Sequence, residues 1–218
     1  MLTVTIDHDG LSAQIPYWTA VLTPEERSFG CRRTDPTIDT IGSSVVTETS
    51  TQYARAGAEH PSATMLLTVL AATVGAWQSD RCRSCVSGVL VDIEANSDTP
   101  LFPVRLPTSG DAAVLAAEVR RRVAVAPYDG NDFEAAKHTA AALARKSGAQ
   151  IAFRYGSSSR LPDDELALQH SLTVTCDVNE SDGVTTVDAK FRWNSRIFTR
   201  SDVDDFERFW EKTLATFV

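Results

Sequence analysis

Residues 86–106, VSGVLVDIEANSDTPLFPVRL, limit what this chain can fold into more than any other stretch. Val89, Leu90, Val91 and Ile93 form a β-branched-rich apolar run bounded by turn residues, the pattern of a strand covered on both faces. A short polar turn follows, then a second strand over LFPVRL. Glu94 closes the first strand, at the point where buried sheet meets open space. Desolvation at such a position can raise a carboxyl pKa towards neutrality and suit the group to accept a proton. Strand ends are also commonly polar, and the same residue reads as the solvated start of a loop.

A chain of 218 residues fits one large domain or one lobe of a bilobal enzyme, and buries about 70% of its unfolded surface. The apolar fraction of 43% and charged fraction of 23% are ordinary for a soluble globular protein. A net charge of −8 disfavours nucleic acid and anionic membranes as partners. No segment near the start joins basic residues to an apolar core, so no secretory signal is expected. The longest nearly apolar run, residues 65–77, is too short to span a bilayer. Cys31, Cys82, Cys85 and Cys176 are scattered, and the expectation is reduced thiols in the cytoplasm. Cys82-Arg83-Ser84-Cys85 invites a redox or metal reading. It has no second such pair and no nearby histidine pair, and lies in a turn, where structural cysteines are the alternative.

Residues 1–10 read as a short strand and turn, 15–22 as a short helix anchored by Tyr17 and Trp18, and 23–44 as a long polar connection. Residues 45–49 read as strand, after which Ser50 or Thr51 caps a short helix to Ala56. Pro61-Ser62 opens the strongest helix, apolar on all sides and therefore central. Residues 111–125 form a helix ending in Arg120-Arg121-Arg122, which complement its dipole or meet an acidic partner or phosphate. Pro127-Tyr128-Asp129-Gly130 breaks the chain, and residues 131–146 are helical. Residues 151–156 read as strand, 157–162 as loop, and 172–178 with 184–193 as a hairpin. A last helix, capped by Thr199 or Ser201, buries Val203, Phe206, Phe209, Trp210 and Leu214. His60, His138 and His170 are isolated in sequence. No phosphate loop, nucleophile elbow or metal-binding histidine cluster is present in the sequence.

VLVDIE followed by LFPVRL resembles the epimerization branch of the condensation-domain superfamily of nonribosomal peptide synthetases. There a strand ends in the glutamate of Glu-Gly-His-Gly-Arg, and a later strand reads roughly Tyr-Pro-Val-Arg-Leu. Glu94 matches the glutamate. Ala95, Asn96 and Ser97 stand where that family has Gly, His and Gly, and the loop between the strands is shorter. Pro127 to Gly130 resembles a proline–glycine turn before a helix lining the substrate channel. Phe153-Arg154-Tyr155-Gly156 resembles a Phe-Asn-Tyr-Leu-Gly strand, with Arg154 in place of Asn. The likeness runs over residues 12–218, with 1–11 as an N-terminal extension, and corresponds to the C-terminal lobe.

The resemblance implies an α/β fold: a chloramphenicol-acetyltransferase-like single lobe, a mixed sheet with helices packed against it. It implies Glu94 as general base, with Asn96, Tyr128, Arg154, Tyr155, Arg120 and Arg121 contacting a substrate channel or a peptidyl carrier protein. No cofactor of its own is implied; the substrate would be phosphopantetheine-bound on the carrier. The family's histidine motif, His-His-x-x-x-Asp-Gly, belongs to the other lobe, and His8-Asp9-Gly10 does not reproduce it. The expectation is therefore a truncated condensation/epimerization-type domain, not catalytic alone, acting as a structural or docking element. It would pair with an N-terminal-lobe partner or form a homo-oligomer. The alternatives are an epimerase half completed by a partner or second subunit, and a small-molecule acyltransferase with its site between subunits.

Overall fold

The computed structural model describes residues 8–54, 61–83, 87–94, 100–156 and 163–218. The buried run of the 86–106 stretch is strand β2, Val89–Ile93, and LFPVRL contains strand β3, Phe102–Leu106, paired to it antiparallel. Strand β4, Ile151–Tyr155, lies parallel to β2 on its other side. The hairpin is β5, Leu172–Ser181, and β6, Val184–Asn194, with β5 parallel to β4. Strand β1, Ser44–Ala54, closes the far edge against β6, so the six-stranded order is β1-β6-β5-β4-β2-β3. Asp182 and Gly183, both at positive φ, make the two-residue hairpin loop that right-handed strand twist favours.

Register explains the core. Phe102, Ile93, Phe153, Val174 and Phe191 lie side by side across five strands. Val104, Val91, Ile151, Leu172 and Trp193 form the next row, and all ten side chains are buried. Onto this face pack helix α2, Ala63–Asp80, and the final helix α6, Arg200–Phe217. The Ser62 hydroxyl caps α2 by accepting from the Met65 N–H, and Thr199 caps α6 from the Asp202 N–H. Phe206 and Trp210 meet Phe191 edge to face, with ring centroids 5.9 and 5.6 Å apart. Helix α3, Ala112–Ala124, flanks α2 and β3.

Three segments differ from expectation. Residues 50–54 continue β1 instead of forming a helix, because β6 pairs with them throughout and the Ser50 hydroxyl donates to Asp188. Long-range pairing outweighs a local capping signal. Helix α1 runs His8–Val21, taking in residues read as a turn, and its Leu11 and Trp18 are buried two turns apart. Residues 131–146 form two helices, α4 at Phe133–Thr139 and α5 at Ala141–Ala144. Ala140 is extended between them, and Leu143 beyond it reaches the core. Residues 56, 57 and 60, Cys85 and 157–162 lie outside the described residues.

The long connection after α1 is tied down by buried side chains, which supply the partners its backbone lacks. Arg105 donates to the Val21 and Pro24 carbonyls. Gln150 accepts from the Phe29 N–H and donates to the Arg27 carbonyl. Asp39 lies wholly inside, where Arg32 grips both carboxylate oxygens at 2.6 and 2.7 Å and the Asp35 N–H donates at 2.8 Å. The Arg32 hydrogen bonds, against the opposing effect of burial, hold the Asp39 carboxyl well below the usual carboxylate range.

A depressed folded-state pKa makes the unfolded chain the better proton acceptor, so this stabilisation is present above the unfolded-state pKa and lost as pH falls. Asp39→Asn should cost about 3 kcal/mol at neutral pH in urea unfolding, the low end for a broken buried pair. Arg32 is 34% exposed, which sets that lower end. The difference from wild type should shrink below about pH 4, and an unchanged difference down to about pH 2 would contradict the assignment.

Candidate functional site

Glu94 follows β2 directly. Its N–H donates to the Phe153 carbonyl at 3.3 Å, extending the parallel ladder by one residue and fixing where the side chain emerges. The side chain is 14% exposed, and its Oε1 lies 3.6 Å from Nη1 of Arg154. It opens on a cavity of about 300 Å³. Ile93, Phe153, Phe102 and Leu67 give that cavity apolar walls; Ala63 and Thr64 come from the first turn of α2 and Val123 from the last turn of α3. Asp129, exposed at the rim, is the second ionisable group of the described lining. No imidazole, amine or thiol belongs to that lining among the described residues.

The Pro-Tyr-Asp-Gly break shapes the rim. Tyr128, Asp129 and Gly130 all take positive φ, at 48°, 52° and 79°. Gly130 is required there, since a Cβ would stand 2.1 Å from the Phe102 ring. This contact seats Phe102, a wall of the cavity, while Tyr128 itself faces solvent.

The other residues singled out by sequence lie around this end of the sheet or on α3. Arg154 is 38% exposed and pairs with Glu94. The Tyr155 hydroxyl donates to the Pro61 carbonyl at 3.3 Å, and burial, with smaller contributions from Asp177 and Cys176, raises its pKa. Arg121 and Arg122 both hold Glu118, whose carboxyl they pull down to about 2. Arg120 is exposed on the same helix. Asn96 lies outside the described residues.

Sequence reasoning missed one pair. Asp92, two residues before Glu94, meets His170 with a 2.7 Å bond between Oδ2 and Nε2. In register, Asp92 stands opposite Ala152 and Ala152 opposite Thr173, so a small residue of β4 separates acid and imidazole. Period-two reading of VLVDIE puts Asp92 on the face opposite Val91 and Ile93. Nothing local pointed to His170, 78 residues away.

No family model matches the chain, and no curated protein sequence matches it. Solved structures do. The epimerization domain from the third module of tyrocidine synthetase B matches with a TM-score of 0.66 and 15% identity, over 97% of this chain and 56% of that one. The X-domain from teicoplanin biosynthesis, in a complex with OxyB, matches with a TM-score of 0.60 and 14% identity, over 95% and 53%. The starter condensation domain of rhizomide synthetase matches with a TM-score of 0.60 and 10% identity, over 96% and 52%. The chain spans about half the length of each. At these identities the likeness is one of fold: the mixed α/β lobe seen here is the condensation- and epimerization-type architecture read from sequence.

Gly130→Ala should lower stability by about 2–4 kcal/mol, combining left-handed strain with overpacking against Phe102. Thermal unfolding checks the first effect. Displacement of Phe102, seen by aromatic NMR shifts, checks the second; unmoved Phe102 signals would mean the cavity wall does not depend on this contact.

Proposed function

We propose that this lobe is a condensation/epimerization-type element of a nonribosomal peptide synthetase pathway that is not catalytic by itself. It serves as a structural, docking or half-site element for peptidyl intermediates on a carrier protein. The observation that carries this reading is the one-sided cavity at Glu94. Epimerization at a carbon centre needs a base on one face and a proton donor on the other. The described lining offers Glu94 and the rim carboxylate Asp129, with no imidazole opposite. His170 is committed to Asp92. Loss of one member of a general acid–base pair typically costs about 10²–10⁴ in rate. The X-domain, which shares the fold, forms a complex with OxyB, which supports a docking role. Arg120 and Arg121 at the end of α3 suit contact with an acidic carrier protein.

A second reading has its own support. Glu94 ends an interior strand, is mostly buried, and faces an apolar cavity able to take a side chain or thioester segment. In that reading Glu94 is the general base of an epimerase whose site is completed by an N-terminal-type lobe or a second subunit. In both readings the substrate arrives phosphopantetheine-bound and the lobe has no cofactor of its own. No helix among the described residues is long and apolar enough to cross a membrane.

Exchange of the Cα proton of a carrier-bound peptidyl thioester into deuterated water separates them. The chain alone should show no exchange above the uncatalysed rate. If a supplied second lobe restores it and Glu94→Gln then abolishes it, the epimerase reading stands. Exchange by the isolated monomer, undiminished in Glu94→Gln, would sink both. Analytical ultracentrifugation with pathway proteins should detect a complex; a monomer that binds none of them would remove the docking role.

A further inference from the structure

The Asp92–His170 pair borders a second cavity, of about 370 Å³, that shares no lining residue with the one at Glu94. We propose that it is a separate binding site for a small anion, a carboxylate or phosphate, held by Lys137 and Arg33 beside His170.

The imidazole is 12% exposed and Asp92 19%. Asp92 takes up Nε2, which fixes the ring plane. The other nitrogen, Nδ1, makes no hydrogen bond to the described residues and is not sealed from solvent. His170 lines the cavity, so its ring reports on what binds there. A carboxylate in the interior strand β2 is costly unless paired, and His170 supplies that pair.

Two cations line the same cavity, neither in a contact ion pair with a carboxylate among the described residues. Arg33 donates to the Gly148 and Glu26 carbonyls, and its charge also acts on the Glu26 carboxylate, which Arg105 shares. Lys137, on α4, holds its Nζ over the Phe133 ring, 5.8 Å from the centroid, and makes no ion pair among the described residues. The acids of the lining are Asp92, committed to His170, and Glu134, which lies 3.9 Å from His138. With Asp92 engaged, the charges left within the lining itself are two positive and one negative, which favours an anion. Thr34 and Gln169 supply further polar groups, and the Thr34 hydroxyl shares a 2.8 Å bond with Ser171 beside the histidine. A bond that only ties the start of β5 to β2 would need neither an open cavity nor two cations lining it.

The test is NMR of the full chain, following the His170 ring signals, which are assigned by their loss in His170→Gln. Sodium acetate and inorganic phosphate are titrated separately at constant ionic strength. Saturable movement is expected with at least one of them, at a dissociation constant on the order of 1 mM for a two-cation site. Which probe saturates at lower concentration identifies carboxylate or phosphate as the preferred group. Lys137→Met, a surface change with no hydrogen bond to lose, should weaken binding about tenfold while leaving the fold intact by circular dichroism. No saturable movement up to about 100 mM of either probe, or titrations identical in wild type and Lys137→Met, would overturn the proposal.

Discussion

The parallel pairing of β2 on β4 is the constraint from which the rest of the molecule follows. It aligns Val91 with Ile151 and Ile93 with Phe153, and these pairs continue into β5, β6 and β3 as two buried rows. A slip of one residue would turn both rows away from α2 and α6 and expose them. The same register decides which acids of VLVDIE go where. Glu94 emerges past the ladder beside Arg154, while Asp92 stands over Ala152 within reach of His170.

Strand polarity also sorts the chemistry. Glu94 and Gly156 follow the carboxyl ends of the parallel strands β2 and β4, the end of an open α/β sheet where ligands commonly bind. The amino ends of β2 and β4 are instead plugged by the long connection after α1, held through Arg105, Gln150 and Glu26. Burial raises the Glu26 carboxyl pKa, with the Leu90 N–H and Arg105 opposing it. That plug uses its polar groups to satisfy backbone, whereas the cavity at Glu94 is apolar and open. Fold likeness to epimerization, X- and condensation domains extends over this lobe, about half of each.

Much of this was legible before any coordinates. The strands β2, β3 and β4, the hairpin, and helices α2, α3 and α6 all follow from apolar periodicity, with Thr199 among the caps read for α6. Where sequence and structure part, a distant partner is the cause. Ser50 and Thr51 carry a helix-capping signal, but β6 offers eleven consecutive pairing positions to β1. Ala-rich residues 131–146 favour helix throughout, yet the core admits Leu143 only after a bend at Ala140. His170 looked isolated because its partner is one strand beyond its neighbour.

By itself, then, the order of apolar and polar residues determined the strands, the covering helices and the placing of an acid at the end of the most buried strand, while the mixed sheet was what the family resemblance implied. The strands, helices and acid depend on local periodicity, which a linear reading captures. Only the tertiary structure decided that Glu94 faces Arg154, that Asp92 holds His170, and that Gly130 lies against Phe102 to shape a cavity. Each joins residues far apart in the chain, and such meetings are set by sheet register and packing, which no single segment encodes.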